Sequence, residues 1–533
     1  MKKMNLIVFG VLLLCLSIPL FASGQQGRDT GTSLSDIGFN ATGYPIVSRP
    51  YSFSVSVTKR PFHGTFSNMA ASQNMERKTG VTIQWIEIPE ASFRERMNLM
   101  LASDDLPDVF GDGLMDSDIV RYGPSGSLIP LGNLIERYSP NIKEIFTNRP
   151  DVQQFVTTPD GNIYTLPRIQ ELAHRVNPDN MFINKTWLDR LNLSMPGTYD
   201  EFFDVLRAFR ERDPNGNGRR DEIPLSFVSG MGTNEIYSLF AGFGMHDNAN
   251  HVMVSNRRVY YTANSPEYRN AVTYFNRLCA EGLIDPEAFT HDHRQYVAKG
   301  MEPDMLYGVF FDWFDEIVLG NERAREHYAA LPPMMGVDGR RHWNWSPNAL
   351  MGRSGWAITN KMQHPEVAIR WGDSCYDWES SMELCYGPFG ISLERRGDQI
   401  IMLPGPPGVS VDDVRYMQSP VHNTPYAVYE ADHRRMNFEL NHMRKFERLD
   451  MYRQYFPALE ELYPQVFFMP EEESELAIIR TDLNNYVSQM RARFIIGSES
   501  ISTGWNAYIT NLNQMGLPRF LELYQRALDR YYN

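Results

Sequence analysis

The chain has 533 residues and a formal net charge of -14. Hydrophobic residues make up 42% and charged residues 22%, a globular balance that excludes whole-chain disorder, collagen and coiled coil. The acidic surplus argues against a nucleic-acid surface, which clusters Lys and Arg, and four cysteines in this length are no disulfide scaffold.

Lys2 and Lys3 precede an apolar run over 6–20, followed by Ala22, Ser23 and Gly24. That pattern predicts a secretory signal peptide over 1–24, cleaved after Ala22 or Gly24. The run is short for a bilayer span, which needs about 20 residues. Cys15 lies inside it behind Leu14, so no lipid anchor is expected. The product is expected in the periplasm or outside the cell. Export permits a disulfide between Cys375 and Cys385, but buried, inert thiols are expected.

Residues 25–50 are rich in Gly, Ser and Thr and predict a flexible leader. Tyr51, Phe53, Val55 and Val57 alternate with serines, a period-two strand. A helix over 67–79 closed by Gly80, a strand over 81–88, a helix over 92–103 and a strand over 106–110 follow. This β-α-β-α-β order predicts a parallel sheet with crossover helices. Ligands in such sheets sit outside the C-terminal strand ends, so the segment 108–112, ending at Asp112, is a candidate cleft loop.

Thr198 and Glu201 form a capping box opening a helix to Arg212, with Phe202, Val205, Leu206 and Phe209 on one face. Ser265-Pro266 opens another. Residues 307–311 form an apolar strand leading into Asp312 and Trp313, and an amphipathic helix spans 519–532. No Gly-x-Ser-x-Gly, His-Glu-x-x-His or Gly-Lys-Ser/Thr motif is present.

The sharpest local signal is the run 213–222. Asp213, Asn215 and Asn217 place oxygen side chains at alternate positions, Gly218 permits the sharp turn, Arg219 offers its carbonyl and Asp221 takes the ninth position. Calcium takes such sets of six to eight oxygens. Position twelve is Pro224 rather than Glu, so Glu222 at position ten is the residue left to close the site. A solvated Asn-Gly turn is the alternative.

The segments 98–108 (NLMLASDDLPD), 159–167 (PDGNIYTLP), 182–188 (FINKTWL), 280–286 (AEGLIDP) and 364–370 (HPEVAIR) occur in an order that resembles the family 1 extracellular solute-binding proteins of bacterial ABC importers. The resemblance is greatest to the large lipoprotein-like, alginate-binder-like oligosaccharide binders, and it departs from them in lacking a lipobox cysteine. It implies an α/β fold of two lobes, type II-like, with central mixed sheets, hinge strands and extra C-terminal helices. Lobe 1 is expected over 51–165 and 329–385, and lobe 2 over 166–328 and 386–533. It implies no enzyme but a monomeric binder that closes on an oligosaccharide and delivers it to ABC permease membrane subunits. It also implies a structural Ca²⁺ on Asp213, Asn215, Asn217, Arg219, Asp221 and Glu222. Sugars are held by stacked rings and planar polar groups, which makes Trp313, Trp345, Trp356, Arg168 and Asp112 the candidate ligand residues. A binder of a peptide or other solute, a receptor-linked sensor and a secreted polysaccharide-active enzyme are the competing readings.

Overall fold

A computed structural model describes residues 33–532, apart from 173–179, 231–234, 346–349, 354 and 438–439. The expected signal peptide lies outside the described residues. Strand β1 (Tyr51–Lys59) buries Phe53, Val55 and Val57 as the alternation predicts, but Ser56 and Thr58 are buried too. The reason is topological. β1 is flanked in parallel by β2 (Val81–Pro89) and β3 (Val109–Phe110), and a parallel sheet is covered on both faces. The crossover helices Ala70–Thr79 and Glu90–Ser103 fall where their periodicity places them, the second burying Phe93, Met97 and Leu101. Gly80 ends the first at φ 73°, and a Cβ there would sit 2.4 Å from the Val47 carbonyl oxygen.

That close approach corrects one expectation. From Ser33 onward the supposed leader is packed: Ile37, Ile46 and Val47 are buried in the first core, and the amides of Ile46 and Val47 bond to Thr79 O. Three apolar residues among many polar ones suffice because they dock on an existing surface.

The chain continues through β4 (Arg168–Gln170), β5 (Asn180–Asn184), β6 (Ile223–Ser226) and the hairpin of β7 (Val252–Ser255) and β8 (Arg258–Tyr261). Then come β9 (Tyr307–Asp312), β10 (Tyr328–Ala330), β11 (Met351–Gly352) and β12 (Ala357–Ile358). Last are β13 (Leu393–Arg396), β14 (Gln399–Met402), β15 (Tyr426–Val428) and β16 (Met436–Asn437). One mixed sheet has the order β12-β3-β1-β2 and the other β10-β5-β9-β6. A third, β11-β4-β15, gathers strands distant in sequence, and β13-β14-β16 is a small outlier. This is the expected α/β architecture of two lobes, each with its own core.

The lobe boundaries differ from those expected. β10 pairs with β5, and Trp343 packs in the second core, so 328–343 belongs to lobe 2. Tyr386, Leu393, Tyr426, Phe446 and Leu449 pack in the first core, so 386–449 belongs to lobe 1. The helices Pro470–Ile496, Ile501–Gln514 and Leu517–Tyr532 place their buried residues largely in the second core. No local pattern marks these choices, since periodicity reports that a helix has an apolar face and not which lobe covers it.

Trp356 is also corrected. It is fully buried, stacks on Trp371 at 4.6 Å between ring centroids, and donates its indole N–H to Ala368 O at 3.0 Å. It is a core residue with no face for a ligand. Cys375 and Cys385 are both buried free thiols. Trp356→Ala is expected to lower unfolding free energy by about 3–5 kcal/mol, measured by denaturant titration; an unchanged midpoint would contradict the core role.

Candidate functional site

Leu114 and Asp116, just beyond β3, and Tyr237, beyond β6, line a cleft of about 770 Å³. This is the C-terminal strand edge where open α/β sheets bind ligands. The chain returning from lobe 2 to lobe 1 adds Asn344, Trp345 and Met351 to Arg353. The segment 462–466, with Phe468, Arg480 and Tyr524, supplies the C-terminal wall.

The arginines of this cleft are already paired with acids. Arg353, 5% exposed, pairs with Asp116, donates from Nε to Phe155 O at 2.6 Å and from Nη2 to Gln465 O, and stacks on the rings of Phe155 and Phe467 at 4.5 and 3.9 Å. Arg480 pairs with Glu473 at 3.2 Å. Asp247 is buried and accepts from His251 Nδ1 at 2.9 Å, from the Asn248 amide at 2.9 Å and from Thr262 Oγ1. The Asn344 amide is oriented by Asp247 N–H, which donates to its Oδ1 at 3.4 Å; its Nδ2 is buried with no acceptor.

Of the residues singled out from sequence, Trp345 lines the cleft, with its ring stacked on Phe456 at 5.4 Å and 3°. Arg168 lies at the margin. It pairs in register with Gly352, which lines the cleft, and donates to His422 O at 2.6 Å. Asp112 accepts from the Thr58 amide and Asn423 Nδ2, both at 2.9 Å, and burial raises its carboxyl above the usual range. Arg168 and Asp112 thus tie lobe 1 strands to the one segment 422–423, a bracing arrangement away from the cleft lining. Trp313 follows β9, the strand beside β6, and is 38% exposed but outside the lining. Sequence reasoning missed Tyr237, Asp247, Arg353, Tyr463 and Tyr524. They come from loops, the short helix Tyr237–Phe240 and a C-terminal helix, where only a polar or aromatic residue beside a turn could have signalled them.

The 213–222 loop folds as a compact turn. Asp213 Oδ1 and Oδ2 accept the amides of Gly216, Asn217 and Gly218, and Gly218 sits at φ 76°. Asn215 and Asn217 both point their side-chain amides at Asp221, at 3.0–3.1 Å. Arg219 Nε pairs with Asp221 at 3.0 Å, leaving the residue's carbonyl as its contribution to any cation. Glu222 decides the fit: it is 4% exposed, and no other described residue donates to its carboxylate. Burial, with the charges of Asp213 and Asp221, raises its carboxyl. An orphaned buried carboxylate beside two more acids fits a cation. β6 begins directly after it, where the loop of an EF-hand would open a helix. Elsewhere Asp285, Glu287 and His291 converge, but Lys299 already pairs with both acids at 2.9 and 2.7 Å.

A family model of the bacterial extracellular solute-binding proteins matches residues 61–373. The chain belongs to that family. The fructooligosaccharide ABC transporter substrate-binding protein FusA of Streptococcus pneumoniae is 35% identical over 477 residues, covering 86% of each chain. FusA in complex with kestose superposes with a TM-score of 0.73 at 32% identity, over 90% of this chain and 99% of FusA. An EF-hand mutant of FusA in complex with fructo-nystose matches equally. An HMO-binding solute-binding protein of Bifidobacterium longum infantis, at 23% identity, TM-score 0.78 and coverage of 90% and 99%, shares the fold. This solute-binding protein therefore has the two-lobed architecture of ABC importer binding components, and no described helix is long and apolar enough to cross a membrane.

Two histidines give this solute-binding protein a defined acid response. Burial, aided by Arg60 and Lys59, pulls His63 down to about 4; burial, aided by His342, does the same to His246 beside Asn344. An unfolded His titrates near 6.5, so between 6.5 and 4 the unfolded chain binds protons that the native state refuses. Stability is expected to fall across that window. His63→Asn or His246→Asn should flatten the slope of unfolding midpoint against pH, and an unchanged slope in both would contradict the assignment.

Proposed function

We propose that this protein captures a neutral oligosaccharide in the interlobe cleft, closes its lobes on it by hinge motion and delivers it to the membrane subunits of an ABC importer. The carrying observation is the cleft lining. Tyr237, Trp345, Tyr463 and Tyr524 offer rings among Asn248, Asn250, Asn344 and Gln465, while both arginines are already paired with acids. Rings and amides suit sugar CH faces and hydroxyls. A uronate would need cationic groups to spare. The volume lies within the ~300–1,000 Å³ usual for ligand sites. The likeness to FusA supports a fructooligosaccharide of the kestose kind.

The same lining favours binding over turnover. A glycosidase needs two carboxylates free to exchange protons or attack. Asp116 is engaged by Arg353, and Asp247 by His251 and Thr262. The protein acts as an exported monomer in the periplasm or outside the cell. Calorimetric titration of residues 25–533 with kestose, nystose, a neutral gluco-oligosaccharide and oligogalacturonate is expected to show saturable heat with the fructans and none with the acid. Trp345→Ala should weaken binding at least about tenfold, as ring platforms do on truncation. Binding of oligogalacturonate alone would overturn the neutral reading, and hydrolysis of a bound glycan would overturn the binding role.

The 213–222 loop is proposed to hold a structural Ca²⁺ through Asp213, Asn215, Asn217, the Arg219 carbonyl, Asp221 and Glu222. Its chemistry there is charge compensation of the acids. Chelation with EDTA is expected to lower the unfolding temperature by a few degrees and added Ca²⁺ to restore it. Asp213→Ala should abolish that response; a chelator-insensitive midpoint in metal-analysed protein would argue for a bare turn.

A further inference from the structure

The segment 462–469 touches both lobes: lobe 2 holds its flanks, and lobe 1 takes Phe467. At its start Leu462 forms a bridge with Met253 of β7, and Tyr463 Oη donates to Tyr524 O at 2.8 Å, both in lobe 2. Farther on, Phe467 is buried in a small core with Phe93, Leu114, Ile119 and Tyr164 of lobe 1. Between these anchors the backbone carbonyls of Gln465 and Val466 turn to one side chain, Arg353. The same guanidinium grips Asp116 and Phe155 O in lobe 1 and stacks on Phe467.

We propose that Arg353 is a positioning residue that pins 462–469 as a strap across the cleft, and that this strap limits how far the empty lobes part. The inference rests on the cleft being the binding site. Parting the lobes pulls the strap's two anchors apart. The lobe 2 attachment is a bridge, one hydroxyl bond, the Phe468 ring 5.1 Å from Tyr524 and the helix that follows; the lobe 1 attachment is the buried Phe467 ring and the Arg353 fork, which joins Gln465 O and Val466 O of the strap to Asp116 and Phe155 O. A planar guanidinium can serve these divergent acceptors together, whereas an ammonium on a flexible stem cannot hold the same geometry. The strap also carries the Tyr463 and Phe468 rings of the lining, so its seating sets where a ligand meets them.

Arg353→Lys keeps the charge and removes the fork. Two measurements on residues 25–533 test it: small-angle scattering of the empty and kestose-loaded protein, and stopped-flow kinetics with kestose. The expected result is a larger radius of gyration for the empty variant alone, with koff raised about tenfold and kon within about twofold, because interface changes act chiefly on koff. A merely structural role would lower the unfolding temperature and leave the empty radius and the koff-to-kon split unchanged, and that result overturns the proposal. If Arg353→Lys fails to fold, Asp116→Asn, which loses the charge pair at constant volume, is expected to shift both readouts the same way by less; no shift there counts against the strap. Failure of the unsubstituted protein to bind any fructan would sink the proposed function instead, while the scattering comparison would still decide the strap.

Discussion

Each lobe closes its own hydrophobic core, and burial of apolar surface at about 25 cal/mol per Å² is therefore realised chiefly within lobes. What relates one lobe to the other is a set of polar and aromatic contacts on the crossing segments. The helix Leu440–Arg453 shows the pattern: Phe446 and Leu449 pack in the first core and Tyr452 in the second. On the same helix Arg444 and Arg448 reach Asp315 at 3.4 and 3.3 Å, with Asp315 almost wholly buried. Lys445 lies 2.8 Å over the Phe314 ring, and burial draws its amine down to about 7. Buried pairs of this kind cost desolvation and return little net stability. They do fix an orientation, which is what a seam between two rigid bodies requires.

The cleft inherits its character from that seam. Strand ends leave backbone groups and loops at the facing edges, and the crossing segments bring arginines that must find acids. Arg353 and Arg480 find them, so the lining presents rings and amides rather than net charge. A chain with a formal charge of -14 thus offers a site of balanced polarity, and its overall charge says nothing of its cargo.

What the sequence disclosed follows from the range of the signals. Thr198 and Ser265 cap their helices through bonds to residues three positions on, at 3.2 and 3.0 Å, and such local contacts are legible in a short window. The β1–β3 order and the turn geometry of the 213–222 loop are of this kind. The assignment of 386–449 to lobe 1, the docking of 33–50 and the burial of Trp356 under Trp371 depend on partners far along the chain. So does the strap, whose anchors at Met253, Arg353 and Tyr524 are separated from it by 60 to more than 200 positions. Arg168 and Asp112 stand between these cases. The loop after β3 that carries Asp112 was readable, but the partner of both residues, the 422–423 turn, was not.

The acidic loop connects to the cleft through one strand. Glu222 directly precedes β6, whose four residues span roughly 13 Å at the usual rise per residue, and the chain beyond its far end carries Tyr237 of the lining. Arg190 donates to the carbonyls of Pro214 and Asn215 at 2.7 and 3.1 Å, fastening the loop to the helix Lys185–Leu191. A cation held by the loop would compensate the unpartnered Glu222 and hold the start of β6 against that helix. β6 is itself paired to β9 in the second sheet, so a disturbance at its start is resisted along its length. Loss of the cation should therefore register first in the stability of lobe 2, and in ligand affinity only to the extent that β6 shifts Tyr237.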